Sequence, residues 1–228
     1  MGVFVIVAES NQFFITAKKA GVNFHSEEEA GFVVQMSELS GMALFPVHRL
    51  DRMTSGLVIL AKSSEVAAEF GRMFESREVE KYYLAISTRK PKKKQGWVKG
   101  DMAPSRRGSY KLLESMQNPA ITQFVSTSTR PNERIYLVKP HTGKTHQIRV
   151  ALKAIGAPIA GDERYSHAEE AKQEERGYLH AYALRFTLFG ESYSFVLPPS
   201  EGERFMSDEA KKAIESWSEP WSVWSKQA

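Results

Sequence analysis

The residues best suited to chemistry are densest in the segment HRLDRMTSGLVILAK, at positions 48–62. Asp51 lies between Arg49 and Arg52, and nearby positive charge favours the ionised form of a carboxyl group. An ionised aspartate suits the role of nucleophile or base better than that of proton donor. An ordinary surface loop, in which the aspartate pairs with the neighbouring arginines, is the alternative, and this segment alone leaves both interpretations open.

The element that must position Asp51 is the apolar run at residues 57–61, directly after a Thr-Ser-Gly turn. A short run rich in Val, Ile and Leu, bounded by a glycine-containing turn, predicts a buried strand. Asp51 would then lie on a loop that the core holds in place. No second acid is evident within the segment, which disfavours a carboxylate-dependent hydrolase.

The sequence lacks the motifs of several other common kinds of site. The sequence Gly143-Lys144-Thr145 is not a phosphate-binding loop, because that motif needs a glycine where this chain has Val138. His141 and His146 do not match a metal-ligand spacing, and no HExxH pattern occurs. The chain also has no cysteine and no GxGxxG pattern, so we expect neither a metal nor a dinucleotide cofactor.

Local patterns predict short strands alternating with helices. Apolar segments at residues 3–8 and 13–17 flank a polar turn and predict a hairpin. Helices are predicted at 32–39, ending near Gly41, and from residue 65 to about 76, with Ser63 or Ser64 as the cap. Further strands are predicted at residues 80–88, 120–128, 134–139, 178–189 and 193–197.

Two helices are predicted in the second half of the chain. Thr145 is the expected N-cap of the first, whose apolar stripe would contain Ile148 and Leu152 while Lys144 and Gln147 face elsewhere. The second begins near residue 207 and leads into a tail with tryptophans at 217, 221 and 224, which Pro220 separates. These rings could stack on bases, but we predict that they dock onto the core.

Composition indicates one domain over residues 1–228 of a soluble, cytoplasmic protein that does not enter a membrane. Apolar residues make up 42% of the 228 positions, yet no run approaches the roughly 20 needed to cross a bilayer. The apolar N-terminus lacks a basic region and a cleavage site, so we interpret it as a strand. The net charge is +4, and basic clusters at residues 89–94 and 106–111 suit a polyanion such as nucleic acid.

Several segments, taken in order, resemble the RluA-type pseudouridine synthases. Lys19 stands where the family usually has proline, Met53 where an acid is common, and Lys144 in place of the usual arginine. The matching segments are FVIVAESNQFFITAKKAGVNFH (4–25), HRLDRMTSGLVILAK (48–62), KYYLA (81–85), KPHTGKTHQIRVALKAIGAPIAGDERY (139–165) and YLHAYALRF (178–186).

The resemblance implies an α+β pseudouridine synthase fold, a mixed and largely antiparallel sheet with flanking helices and a central RNA-binding cleft. It implies that neither metal nor cofactor is used. It also implies a stand-alone catalytic domain without the S4-type RNA-binding module of some relatives. A monomer is expected. The partner would be structured RNA, rRNA or tRNA or both, held partly by phosphate contacts.

By the same resemblance, Asp51 is the aspartate that attacks the target nucleotide, whose uracil is detached, rotated and rejoined through C5. Arg149 is the arginine that pairs with it, Tyr83 lies against the target base, and Arg49 enters the RNA stack to hold the nucleotide out. Further RNA or substrate contacts are expected from His48, Thr54, Lys81, His146, Arg106 and Arg107.

The sequence therefore predicts an RNA uridine isomerase. An RNA-binding protein that chaperones RNA folding, with isomerisation secondary or lost, is the alternative. Neither the RNA nor the uridine can be identified from the sequence, and attack on the sugar and attack on the base both stay open.

Overall fold

The computed structural model describes residues 5–26 and 30–224. The fold is built around one large mixed sheet. The helices in these ranges are α1 (Phe32–Ser40), α2 (Ser64–Glu75), α3 (Gln147–Ala154), α4 (Ala168–Lys172) and α5 (Asp208–Ser216), with 3₁₀ turns at Arg106–Gly108 and Pro220–Ser222. The strands are β1 (Val5–Glu9), β2 (Phe13–Lys18), β3 (Phe45–Pro46), β4 (Ser55–Ala61), β5 (Glu80–Ser87), β6 (Gly96–Gly100), β7 (Met102–Pro104), β8 (Tyr110–Leu112), β9 (Ala120–Arg130), β10 (Glu133–Pro140), β11 (Leu179–Leu188) and β12 (Glu191–Val196).

The strand order confirms the predicted fold class. Ten strands form the main sheet in the order β1-β2-β4-β11-β5-β10-β9-β6, with β3 on β4 and β12 on β11. Every pairing along this path is antiparallel except that of β4 with β11. β7 and β8 form a separate hairpin. The predicted N-terminal hairpin is present, although Val3 and Phe4 lie outside the described residues.

Strand β4 is the apolar run that follows the Asp51 loop, and all seven of its residues are buried. Leu57 and Ile59 pack on the side of α2, against residues such as Phe70. Val58 and Leu60 pack on the other side with residues of α1. Because both faces of the strand are covered, its apolar run is continuous rather than alternating.

The parallel pairing of β4 with β11 brings two backbones unusually close behind the Asp51 loop. Gly56 has a φ of +110°, and a Cβ there would lie 2.2 Å from the carbonyl oxygen of Ala181. Only glycine fits this position, because it combines a left-handed backbone with a close backbone approach. Ser55 and Gly56 were predicted to form a turn before the strand, but they are its first two residues. The close approach therefore fixes the start of β4, directly after the Asp51 loop.

The predicted starts of α1 and α2 are confirmed, and so is the end of α1 at Gly41, which is left-handed. Ser63, one of the two expected caps, accepts a hydrogen bond from the Val66 amide at the start of α2. Each helix follows local signals: α1 ends at a left-handed glycine, and α2 begins at a hydroxyl N-cap.

The predicted start of α3 is wrong. The helix begins at Gln147, and its N-cap is His146 in a left-handed conformation (φ 58°), without a side-chain cap. Gln147 was expected to face away, but it is buried. Its Oε1 accepts from the Lys144 amide and from Thr142, and its Nε2 donates to the carbonyl of Ile121. Gln147 is buried because the preceding loop and strand β9 supply its hydrogen-bond partners. A polar residue of this kind gives no apolar signal in the sequence.

The C-terminal tail docks onto the sheet, as predicted. Trp217 is buried at the end of α5, and Tyr182 donates a hydrogen bond to its carbonyl. The ring of Trp224 stacks on Tyr82 of β5 with centroids 5.9 Å apart. Among the residues the structure describes, none of the helices is long and apolar enough to cross a membrane.

Candidate active site

A cleft of about 450 Å³ opens where the loop before β4 meets the start of α3. It gathers most of the residues that the sequence predicts for the site. Those on its walls are His48, Arg49, Asp51, Thr54, Lys81, Tyr83, His146 and Arg149. Arg106 and Arg107 are not on its walls, since they lie on the exposed 3₁₀ turn between β7 and β8.

Asp51 lies at the wall of this cleft with its side chain 22% exposed. Its backbone carbonyl accepts from the Thr54 amide in a tight turn. Its Oδ2 accepts a hydrogen bond of 2.9 Å from Nη1 of Arg149. The alternative of a loop in which Asp51 pairs with its flanking arginines is wrong, because Arg52 instead donates to the carbonyl of Gly21.

A second acid, Asp162, lies directly behind Arg149. It is fully buried, and its two carboxylate oxygens accept from Nε and Nη2 of Arg149 at 2.8 Å each. Burial lowers the pKa of Arg149, but the bonds to Asp162 and the charge of Asp51 outweigh it, so the pKa is raised. The bidentate pair fixes the plane of the guanidinium, which leaves Nη1 for Asp51. The segment at residues 48–62 contains no second acid, as expected, and Asp162 reaches the site from elsewhere in the chain.

Lys18, at the end of β2, holds the Asp51 loop from the other side. Its buried Nζ donates to the backbone carbonyls of Lys19, Val22 and Arg52. Burial lowers the pKa of Lys18 to about 7, the charge of Asp51 opposes this, and Arg176 adds to it. Three carbonyl acceptors satisfy the three donors of an ammonium group, so this side chain ties the loop to the N-terminal hairpin.

Tyr83 and Lys81 project into the cleft from β5, two residues apart and hence on the same face. Burial, and then the charge of Asp51, raise the pKa of Tyr83, so its phenol stays neutral. Burial lowers the pKa of Lys81, and no carboxylate in the described ranges pairs with it. Its Nζ lies 5.1 Å from the ring centroid of Phe74. A half-buried cation without an acidic partner can bind an anion such as a phosphate.

His48 and Thr54 support the loop from within. The Ile59 amide donates to Nε2 of His48, and burial followed by the charge of Lys81 lowers the pKa of His48 to about 3. The ring is therefore neutral and carries a structural hydrogen bond. Thr54 is only 2% exposed. Both side chains are uncharged, so any contact that they make with RNA would use the atoms exposed at the cleft wall and would not be an ion pair.

His146 faces Asp51 across the cleft, with Nε2 3.9 Å from Oδ2. Its other ring nitrogen, Nδ1, lies 2.9 Å from the hydroxyl of Tyr165. The ring of Tyr165 also lies under Arg149, with 5.0 Å between the guanidinium carbon and the ring centroid. One tyrosine therefore supports both groups that approach Asp51.

The hairpin β7–β8 is attached to the site through Tyr165 as well, because the Tyr110 amide donates to its hydroxyl. Arg164 donates to the carbonyls of Arg107 and Gly108 at the tip of the hairpin. Arg106 and Arg107 are thus exposed cations on an arm next to the cleft. That position suits contacts with RNA outside the target nucleotide.

A buried polar chain connects β4 and β11 behind the site. Arg176 donates to Oγ of Ser55, which lies 2.7 Å from Nδ1 of His180, and Nε2 of His180 lies 2.8 Å from the carbonyl of Leu197. Burial lowers the pKa of His180 to about 4. His180 is 4% exposed, so a serine–histidine pair here is structural and not an accessible nucleophile.

This neutral histidine predicts a defined loss of stability in mild acid. The unfolded chain protonates His180 below pH 6.5, while the folded chain keeps it neutral to about pH 4. Stability is therefore lost as the pH falls from 6.5 towards 4. We expect the advantage of the wild type over His180→Gln in the free energy of unfolding to shrink by about 2 kcal/mol from pH 7 to pH 5. Urea unfolding at both pH values measures it, and an unchanged difference would contradict the assignment.

Sequence reasoning missed three residues of the site, Lys18, Asp162 and Tyr165. Asp162 and Tyr165 lie in the segment at residues 139–165 that resembles the family, and their place in that segment is the signal that could have found them. The signal for Lys18 is weaker: it is a lysine directly after the apolar segment at residues 13–17. Within the described part of the chain, no group of three or more His, Cys, Asp or Glu could hold a metal ion.

The sequence of the chain matches one protein-family model and several known proteins. A family model described as RNA pseudouridylate synthase matches residues 12–154. The chain is 43% identical over 200 residues to a protein of Haemophilus influenzae named "Uncharacterized RNA pseudouridine synthase", which covers 87% of this chain and 88% of that protein. It is 32% identical over 212 residues to "tRNA pseudouridine synthase C" of Vibrio vulnificus, covering 79% and 84%.

The fold is similar to a solved structure as well. The structure titled "Human RNA Pseudouridylate Synthase Domain Containing 1" superposes with a TM-score of 0.74 at 25% sequence identity. The superposition covers 86% of this chain and 83% of the human chain. The large mixed sheet around the cleft is therefore shared with this structure.

Proposed function

The chain belongs to the RNA pseudouridylate synthase family, and from this premise we propose that Asp51 is the catalytic aspartate that converts one specific uridine of rRNA or tRNA to pseudouridine. Membership of the family makes the chain an RNA pseudouridine synthase, which is an isomerase. The product has the same atoms as the substrate, with C1′ of the ribose joined to C5 of uracil in place of N1.

The observation that carries the proposal is the hydrogen bond of 2.9 Å between Arg149 and Asp51 at the wall of the cleft. Arg149 is itself fixed by the buried Asp162, so its hydrogen bond holds the Asp51 carboxylate in one orientation. An ionised, oriented carboxylate facing an open cleft is the arrangement that a nucleophile needs. A nucleophile that is already oriented lowers the entropic part of the barrier.

The reaction would proceed in two stages. A carboxylate oxygen of Asp51 bonds to the target nucleotide, and the bond between C1′ and N1 breaks with its electron pair staying on the uracil. The uracil then rotates, C5 bonds to C1′, the bond to Asp51 breaks, and the hydrogen of C5 leaves as a proton. N1 takes up a proton from water. Tyr83 on the cleft wall would stack against the extruded uracil.

Substrate binding would draw on several basic groups around the cleft. Arg49 is exposed at its rim, where a guanidinium can occupy the gap that the flipped nucleotide leaves in the RNA stack. Lys81 in the cleft, and Arg106 and Arg107 on the hairpin, would bind phosphates. The name of one relative supports a tRNA substrate, and the names of two others support rRNA of the large ribosomal subunit. The chain would act in the cytoplasm as a monomeric single domain without a metal.

The loss of the C5 hydrogen gives a direct test. We expect the purified chain to release tritium to water from rRNA or tRNA transcripts labelled with tritium at C5 of uridine, up to one equivalent per target site. The same preparation should be assayed for strand annealing. Annealing without tritium release from any transcript would favour the RNA-chaperone alternative and contradict the proposal.

A further inference from the structure

His146 is a polar residue of the cleft, and the reaction steps described for Asp51 assign it no function. Its side chain is 13% exposed, and it sits at the left-handed residue that begins α3. Its Nε2 is 3.9 Å from Oδ2 of Asp51, which is too long for a hydrogen bond. An atom of a substrate in the cleft can therefore reach both groups without displacing a bond between them.

The tautomer of His146 is assigned from the hydrogen bonds of its neighbour Tyr165. The Tyr110 amide donates to the hydroxyl of Tyr165 at 2.8 Å. The hydroxyl has one hydrogen of its own, which we assign to the bond with Nδ1 of His146, 2.9 Å away. In a neutral imidazole the hydrogen is therefore on Nε2, the atom that faces Asp51.

The surroundings also keep the ring neutral. Burial and then the charge of Arg149 lower the pKa of His146, Arg164 adds to this, and the charges of Asp51 and Asp162 oppose it. At neutral pH the cleft therefore presents a neutral N–H donor beside an anionic carboxylate. A donor held in place before the reaction stabilises charge that develops in the transition state.

We propose that His146 is a second catalytic residue, which donates a hydrogen bond from Nε2 to a carbonyl oxygen of the target uracil. This role rests on the proposed function. When the bond between C1′ and N1 breaks, its electron pair spreads onto O2 and O4 of the uracil. The hydrogen bond stabilises that charge, and His146 keeps its proton throughout.

Two substitutions separate the Nε2 donor from the rest of the residue. Asparagine tolerates the left-handed backbone, and its amide can reach Tyr165, but it has no atom at the position of Nε2. Glutamine places an amide N–H close to that position. We expect His146→Asn to lower the single-turnover rate constant about 100-fold, with RNA affinity unchanged within about twofold. His146→Gln should recover at least about tenfold of that loss.

Thio-substituted RNA distinguishes a contact with the uracil from a structural effect. Sulfur accepts hydrogen bonds weakly, so the rate penalty of His146→Asn should shrink on RNA with 2-thiouridine or 4-thiouridine at the target, whichever replaces the contacted oxygen. An equal penalty on uridine and both thio-substrates, or no penalty, would overturn the role of His146 while an active wild type upholds the proposed function. A wild type inactive on every RNA would overturn both.

Discussion

Replacement of Asp51 by asparagine is expected to abolish pseudouridine formation, lowering the single-turnover rate constant by at least about 10⁴-fold. The amide has nearly the shape of the carboxylate and can still accept from Arg149, so the cleft should keep its geometry. It lacks the charge and the nucleophilic oxygen that attack on the nucleotide requires. The rate is measured as tritium release with enzyme in excess over labelled RNA.

A matched control for this variant is Asp208→Asn, the same chemical change at an exposed position in the first turn of α5. It should retain the wild-type rate, with at most a few tenths of a kcal/mol lost at the helix start. Both variants should bind RNA within about threefold of the wild type, because the phosphate contacts lie elsewhere. Substantial activity in Asp51→Asn would remove Asp51 from the role of nucleophile.

Replacement of Asp162 by alanine should have the largest effect on stability among the residues of the site. It would leave the guanidinium of Arg149, 8% exposed, without its bidentate partner and with only Asp51 nearby. Removing one member of a buried ion pair costs about 3–5 kcal/mol, because the remaining charge stays buried. The amide of Arg164 would also lose its side-chain acceptor. Urea unfolding at neutral pH measures the change.

Glu169→Ala provides the comparison for a solvent-exposed pair. Glu169 pairs with Lys172 at 3.3 Å, and its side chain is 86% exposed. Its removal should change the free energy of unfolding by less than about 0.5 kcal/mol. If Asp162→Ala cost no more than this control, the buried pair would not be what holds Arg149 against Asp51.

The elements that could be predicted from sequence are those that local signals determine. The strand β4 was evident from its apolar run, and α2 from a serine cap followed by apolar residues at helical spacing. Thr145 was a plausible cap on the same local grounds. Contact with strand β9 overrides that signal, because the amide group of Gln147 donates long-range hydrogen bonds to Ile121 and Thr122 of that strand.

The candidate site was predictable where motifs matched residue by residue, as for Asp51, Tyr83 and Arg149. Their assembly was not, because Asp51 and Arg149 are far apart in sequence and meet only through the folded sheet. The buried Asp162 shows the physical reason most clearly. A buried charge has to be paired, but the local sequence does not show that Asp162 turns inward to Arg149, 13 residues away, rather than outward to solvent.

The central claim is most directly tested by mapping pseudouridines with carbodiimide in the total RNA of a deletion strain that carries either the wild-type gene or the Asp51→Asn variant. We predict that one or a few pseudouridines in tRNA or rRNA disappear on deletion and return with the wild type only. Pseudouridines that are unchanged by deletion, or that return with Asp51→Asn, would contradict the assignment of Asp51 as the catalytic residue of an RNA uridine isomerase.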